Sequence, residues 1–532
     1  MAKTYQFQLK LNVDLDSHIR KSYPEIREYR TISKSLDARG APKGRTPVFH
    51  YIIEALTSPE DSYSQLPSLK QYGPLPKKPI IIGAGPGGLF AAVRFAEHGV
   101  PCILLERGDE ANRRMLKIAK YWRYGEMDEE TNVCYGEGGA GLFSDGKLIT
   151  RIKSNLVGYV MQKFVDFGAP EETAYVSNPH LGSNKIRGII TQIAKWLSER
   201  GTEIRYNTRV EELLYEGNRV VGVLLNNGEK LYSDHVILAT GHSAKDIYFH
   251  LEKNQVAMKP KDFAVGVRVE HPRSYIDRLQ HGEFCMNTEL GAARYRLSWH
   301  DKSTDHGVYS FCMCPGGYVL SSGTEKIGIV VNGMSNYHRN SKWSNSALVV
   351  SVKAGEDFKA DELMAGLKFQ HDIEEKAYNL SRKLASGREL PAMRISEFLK
   401  GKLDNRELPK TSSPSGVFKA DFREIFPQFI LDHLRNGLHE FDKVMPGFIS
   451  DDGILIAPET RTSAPITILR DKSTFESLSH KGLYPCGEGA GYAGGITSAA
   501  VDGVKIAISI LEQIENKELG DKAPQLNYKG KL

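Results

Sequence analysis

The chain has 532 residues, a formal net charge of +5 and 25% charged positions. That length is enough for two to four domains with well-buried cores. The small net charge argues against a general nucleic-acid binder. No run of 18 or more apolar residues suggests a transmembrane helix, and six scattered cysteines do not make a disulfide framework.

The N-terminus, MAKTYQFQLKLNVDL, alternates polar and apolar residues like a strand and lacks the apolar core of a signal peptide, so the expected setting is the cytoplasm. Residues 1–75 read as a small α+β domain: a strand over Tyr5–Val13, a helix over Ser17–Arg30 and a strand over Pro47–Leu56. The first 78 residues hold 13 Lys/Arg and 8 Asp/Glu, against 57 of each in the remainder. The basic bias, which includes Lys34-Ser35-Leu36-Asp37-Ala38-Arg39, fits an RNA, anionic-ligand or partner surface; a solvated face explains it more simply. The Ser- and Pro-rich stretch Ser58–Lys78 reads as a linker.

Residues Pro79–Arg107 carry the most specific signal. Ile80, Ile81 and Ile82 make a short apolar run suited to a central parallel strand. Gly83 allows a tight turn, Gly85 and Gly87 open the backbone to a pyrophosphate, and Gly88 lets the following helix pack closely. Leu89, Ala92, Val93 and Ala96 give that helix an apolar face. Glu106, with Arg107 beside it, falls 18 residues past Gly88, where a carboxylate reaches ribose hydroxyls. Strand, turn, helix and acid together predict a bound dinucleotide. The same glycine pattern at Gly136–Gly141 and Gly489–Gly494 lacks this context and reads as anion-cradling loops.

Further along, Asn184–Arg200 is a helix with Ile186, Ile189, Ile190, Ile193 and Leu197 on one face. Glu203–Leu213 reads as a strand, and Val220–Leu225, Asn226-Asn227-Gly228 and Lys230 onward as a hairpin. The segment closes on a strand ending at Ala239-Thr240-Gly241. Residues 263–478 are expected to form an α+β substrate domain holding His271, Arg294, Arg394 and Arg461. Near the C-terminus Gly482–Glu488 reads as a strand and Ser498–Leu511 as an apolar helix, within a returning segment 479–513; residues 514–532 form a polar tail.

This order of elements resembles flavoproteins of the glutathione-reductase-like kind. The resemblance narrows to a bacterial family of FAD-dependent dehydrogenases distantly similar to geranylgeranyl-reductase-type flavoproteins. It rests on Ser35–Arg39, Gly138–Leu148, Tyr309–Gly317, Asn332–Ser335, Glu459–Ser463 and Gly487–Ala500, and Gly182-Ser183-Asn184 departs from it where Gly-Thr-Asp is expected. It implies FAD and an α/β fold in which a glutathione-reductase-like FAD-binding domain (76–262 with 479–513) carries the inserted domain. It also implies that Val210 lends backbone bonds to the adenine, that Thr240 and Gly241 lie beside the dinucleotide, and that Gly487 and Glu488 meet the ribityl chain. The helix beginning near Gly495, Ile496 and Thr497 then points at the flavin. A helix N-terminus there stabilises negative charge on a reduced ring. No substrate comes with the resemblance.

For the chemistry, the loop with Gly139, Ser144 and Lys147 is expected against the flavin. Arg461 is the first candidate to orient an anionic substrate, by its bidentate geometry, with a salt-bridged loop arginine as the plain alternative. His271 is a candidate proton donor. Cys312 and Cys314 would share one face of a strand, as a redox pair or as ordinary packed thiols. No Cys/His spacing suits a metal. The expected activity is hydride transfer between an anionic small molecule and flavin N5, with reduction by the substrate, transient NAD(P)H or another donor. The alternatives are a flavin enzyme acting on RNA through the N-terminal domain and a flavin-holding scaffold without turnover.

Overall fold

A computed structural model describes residues 2–63 and 69–519. Its centre is a five-stranded parallel sheet in the order Leu483–Pro485, Val236–Leu238, Ile80–Ile82, Ile103–Leu105, Glu203–Arg205. The two middle strands are wholly buried apolar triplets, as expected for a sheet covered on both faces. The helices Pro86–Glu97 and Ile496–Leu519 pack against each other, and glycine makes that approach possible. A Cβ on Gly503 would stand 1.9 Å from the Gly87 carbonyl oxygen. The expected strand Glu203–Leu213 is two strands, Glu203–Arg205 in the parallel sheet and Val210–Glu216 in a three-stranded antiparallel sheet with Arg219–Leu225 and Lys230–Tyr232.

Strands Val236–Leu238 and Leu483–Pro485 are neighbours in space although some 240 residues separate them in the chain. Everything between is an excursion, which leaves and returns along a short antiparallel ribbon, Met258–Pro260 with Ile466–Ile468. It contains a seven-stranded sheet ordered Ser298–Asp301, His306–Cys314, Trp343–Val352, Phe263–Pro272, Ile454–Glu459, Leu390–Arg394, Val417–Lys419. The helices Ala365–Leu384 and Gln428–Val444 contribute to the apolar core of this domain.

The leading residues form a three-stranded antiparallel sheet, Lys3–Lys10, Val48–Leu56 and Glu28–Asp37, with one helix. That helix runs only Leu15–Ser22, not to Arg30. Pro24 lacks the N–H needed to continue it and disfavours helical backbone just before it, and the residues from Glu28 pair instead with Val48–Leu56. Several basic residues here are matched inside the domain: Arg20 with Asp16, Arg30 with Glu54, Arg39 with Asp37. The domain docks on the rest of the chain through the backbone of Lys34 against Tyr175 and Ser177, and through Asn12 N to Glu289. Part of the expected linker, residues 64–68, and the tail beyond 519 lie outside the described residues. Residues 514–519 continue the last helix. Among the described residues, no helix is long and apolar enough to cross a membrane and no cluster of side chains could hold a metal ion.

Candidate functional site

At the C-terminal end of the parallel sheet three glycine segments meet. The first is the turn after Ile82. Gly83 has φ +102°, and a Cβ there would lie 2.4 Å from the Ala239 carbonyl oxygen. A Cβ on Gly88 would lie 2.0 Å from the Gly83 carbonyl oxygen, so the helix sits directly on the turn. Gly85 caps that helix in extended backbone, and its side-chain position is open, with only Gly139 Cα within 4 Å, at 3.9 Å. Pro86 takes the first helical position, where no N–H is needed. The next N–H groups, of Gly87 and Gly88, lack helical acceptors and face an anion-favouring end.

The second segment, Gly136–Gly141, lies across the first. Gly138 N donates to Ala84 O at 2.8 Å, and a Cβ on Gly139 would be 3.1 Å from Gly85 Cα. Arg114 sets its shape. This fully buried guanidinium donates to the carbonyls of Asn132, Val133, Glu137 and Gly139 at 2.6–3.1 Å. Burial lowers its pKa to about 10, with Glu106, Cys134 and Glu137 acting in the opposite direction.

The third segment is the return, Gly487–Ile496. Gly487 has φ +74°, and its N–H donates to Asp502 at 2.7 Å; Asp502 in turn holds Arg470 in a two-bond fork. Thr497 Oγ1 donates to Leu148 O, and Ser498 Oγ meets Thr150 Oγ1, both within 2.8 Å. The start of the last helix is thus strapped to the end of the second loop. Gly241 closes the remaining side, its carbonyl oxygen 2.5 Å from where a Gly489 Cβ would be.

Two carboxylates face this crevice differently. Glu106 is buried and accepts from the N–H groups of Ala84, Gly108 and Gly136 at 2.8–2.9 Å, tying the first glycine turn to the second. Its two oxygens offer about four acceptor sites, so capacity remains for a hydroxyl. Glu488 accepts no hydrogen bond from any described residue. The His242 ring stands 3.8 Å from it. Burial lowers the pKa of His242, partly opposed by Glu488. Side-chain-free walls, open helix N-termini and an unspent carboxylate fit a long, doubly phosphorylated, hydroxyl-bearing cofactor. Gly85, Gly241 and Gly495 are the positions where a Cβ would enter open space, with nothing closer than 3.9 Å.

Several candidate residues are occupied elsewhere. Arg461 grips the fully buried Glu374 through Nε and Nη2 at 3.0 and 2.8 Å, with Nη1 on Thr324. Burial pushes the Glu374 pKa up, but Arg461 and Lys245 outweigh it and hold it at about 2. The expected anion clamp is therefore corrected to a closed ion pair: its fork is spent. His271 is corrected too. It is fully buried in the core of the inserted domain, hydrogen-bonded to Phe448 O, and burial lowers its pKa to about 4. It is neutral at pH 7, and its one ring N–H is given to that carbonyl. Arg394 pins the loop carbonyls of Glu407 and Asp451.

The cysteines do not share a face. Pairing with Trp343–Val352 slips between Phe311 and Cys314, and Cys312 adopts φ +43° in that bulge. Cys314 is buried while Cys312 is exposed. The surrounding protein pushes the Cys312 thiol up to about 12. Ser144 is spent on its own loop, donating to Gly141 O and accepting from Gly146 N. Arg107 is held by Glu130 and Asp246 and stacks over Tyr135. Val210 is buried at the head of the three-stranded sheet. Lys147 reaches across to the Met313 carbonyl and joins the two domains. Sequence reasoning missed Arg114, Asp502 and His242. Of these only His242 had a local signal, directly after Thr240-Gly241.

This geometry defines an FAD-binding α/β oxidoreductase, and relatives agree. The family model for an FAD-dependent protein, C-terminal domain-like, matches residues 262–462, and an FAD binding domain model matches 78–116. A flavin containing amine oxidoreductase model matches 140–250. A Clostridium beijerinckii protein described as an uncharacterized protein is 39% identical over 441 residues, 82% of this chain and 81% of that one. The chain belongs to this family of FAD-dependent proteins, and its cofactor is FAD. More distantly, the digeranylgeranylglycerophospholipid reductase of Haloferax volcanii is 29% identical over 31% of this chain and 35% of its own. Protein FixC of Escherichia coli K12 is 30% identical over 38% and 45%. A geranylgeranyl bacteriochlorophyll reductase-like structure from Thermoplasma acidophilum aligns over 85% of this chain and 81% of its own at 12% identity, with a TM-score of 0.35, too loose to carry an argument.

Proposed function

We propose that the protein is a glutathione-reductase-like FAD enzyme that oxidises or reduces an anionic small molecule held between the glycine crevice and the seven-stranded domain. FAD supplies the two-electron chemistry, accepting or donating hydride at N5. The carrying observation is the convergence of Gly83–Gly88, Gly136–Gly141 and Gly487–Ile496 at the C-terminal end of the parallel sheet. In this reading Gly85, Gly87, Gly88 and Gly139 line the pyrophosphate, Glu106 meets the adenosine ribose, Val210 and Thr240-Gly241 border the nucleotide, and Glu488 takes a ribityl hydroxyl. The open N–H groups at Gly495 and Ile496 favour negative charge developing beside them.

Only Pro79–Arg107 has the full strand–turn–helix–acid context, so electrons come from the substrate or from a transient donor such as NAD(P)H. The test is anaerobic. Small carboxylates, phosphorylated metabolites and NAD(P)H are added singly to the flavin-loaded protein while its visible band is followed. Bleaching by one class supports turnover. A band that only dithionite bleaches contradicts it and leaves a flavin-holding scaffold.

A further inference from the structure

The strand Phe263–Pro272 buries two charges, and only one of them is matched. Arg268 is paired with Glu459 at 2.8 Å. Glu270, two positions on, is fully buried and has no Lys, Arg or His partner among the described residues. Elsewhere in the same domain the buried Glu397 meets Lys419 at 2.6 Å. Glu270 accepts only from Ser412, from its N–H at 2.9 Å and from its hydroxyl. That hydroxyl accepts in turn from Val319 N at 2.8 Å, which leaves its proton for Glu270. Two of the roughly four acceptor sites on the carboxylate stay open. A carboxylate taken out of water without a counter-charge is costly, and burial accordingly pushes Glu270 up to about 7, against the Ser412 bonds.

This carboxylate lines a cavity of about 210 Å³. Trp343, Pro272 and Pro409 supply apolar wall, and the exposed Asp452 and Lys410 complete the rim. Trp343 Nε1 donates to the Lys410 carbonyl at 3.2 Å, which fixes the indole. Neither the Asp452 carboxylate nor the Lys410 ammonium is engaged by a described residue. The cavity is smaller than a site for a drug-sized ligand, so it suits a head group. A buried carboxylate with open acceptor sites, a second carboxylate and an indole together favour positive charge.

We propose that this cavity binds a small organic cation carrying N–H groups, a primary ammonium or a guanidinium, between Glu270, Asp452 and Trp343. The N–H groups fill the open sites on Glu270 and supply its missing counter-charge. The cavity shares no lining residue with the glycine crevice, and the proposal stands apart from the flavoenzyme reading.

The test uses the intact chain labelled with 5-fluorotryptophan. Ethylammonium and methylguanidinium chlorides are titrated separately at an ionic strength fixed with KCl, and tetramethylammonium is the control without N–H groups. Fluorine NMR follows the Trp343 signal, assigned among the four tryptophans by Trp343→Phe. A saturable shift of that signal is expected with an N–H cation, and the tighter of the two decides between ammonium and guanidinium. Tetramethylammonium should bind about tenfold more weakly or worse. Glu270→Gln keeps the shape and removes a buried charge, so it folds, and its Kd should weaken about tenfold or more. Asp452→Asn, at the exposed rim, should weaken Kd by about two- to fivefold. Lys410→Met should bind as tightly as wild type or more so. A shift that never saturates, an equal response to tetramethylammonium, or a Kd unchanged in Glu270→Gln overturns the assignment. Binding seen only in Lys410→Met also overturns it, because the cavity then holds its own lysine.

Discussion

The N–H of Gly487 donates to Asp502 at 2.7 Å, across a turn of the chain 15 residues long. Asp502 simultaneously takes both Nη groups of Arg470, whose guanidinium stacks over Tyr492 at 3.9 Å. One carboxylate on the last helix thus fixes the turn that presents Glu488. Removing it frees the turn and strands a cation.

Asp502→Ala is expected to weaken FAD binding by about 10- to 100-fold, the equivalent of one charge-assisted hydrogen bond of about 1.5–3 kcal/mol. Asp502→Asn keeps an acceptor for Gly487 and is expected to retain most of the affinity. Equilibrium dialysis of FAD distinguishes the two; equal affinity in all three proteins contradicts the role.

Arg114 was invisible as a functional residue because its partners are backbone carbonyls, which no sequence pattern displays. Arg114→Met removes four carbonyl bonds at once. We expect roughly 2–4 kcal/mol of destabilisation, faster proteolysis within residues 132–141, and loss of FAD. A variant with unchanged melting and full FAD content would show that the loop holds its shape alone.

Arg461→Ala breaks a buried pair and leaves Glu374 with Lys245 at 3.6 Å and the Thr460 hydroxyl alone; breaking such a pair typically costs about 3–5 kcal/mol. The sign of the pH dependence follows from the Glu374 pKa. It is about 2 in the folded protein, below its ordinary value of 4.5. The stabilisation is full above about 4.5 and is lost as pH falls toward 2. Wild type should therefore lose stability steeply over that window in urea titrations, and Glu374→Gln should flatten the loss. An Arg461 variant with normal stability but a raised KM would restore the residue to the substrate.

Glu270 and His271 are adjacent, both fully buried, and titrate in opposite senses. Burial raises Glu270 to about 7, against the bonds from Ser412, and lowers His271 to about 4. For His271 the folded pKa lies below its ordinary value of 6.5, so its contribution is present above about 6.5 and declines toward pH 4. For Glu270 the folded pKa lies above 4.5, so its contribution is present below about 4.5 and declines as pH rises through 7. His271→Gln should make stability fall more steeply as pH rises from 4.5 to 6.5, and Glu270→Gln should make it rise more steeply. The His271 effect is about 3 kcal/mol. Parallel pH profiles in wild type and both variants contradict the assignment, as does a His271 ring signal titrating near pH 7.

The crevice was legible because its determinants are local: Gly83, Gly85 and Gly88 follow a strand of three isoleucines, and Glu106 lies at a fixed offset. The return at Gly487–Ile496 was legible through resemblance. What failed was tertiary. Arg461 finds Glu374 87 residues away on the helix Ala365–Leu384, and only that tertiary contact decides between an anion clamp and a salt-bridged arginine. Cys312 and Cys314 follow strand alternation in sequence, and a bulge against Asn345 breaks it. Pro24 is a readable stop for the first helix, and the expected helix to Arg30 runs past it.

Gly85 tests the central claim most directly. Its backbone is ordinary, with φ −75°, and a Cβ there meets nothing closer than 3.9 Å. A larger side chain therefore fills the crevice without disturbing the fold. FAD content and visible absorbance are measured for wild type and Gly85→Val after reconstitution. The account expects one FAD per chain in wild type and a variant that melts within a few degrees of wild type but stays colourless. A Gly85→Val protein as yellow as wild type would contradict it.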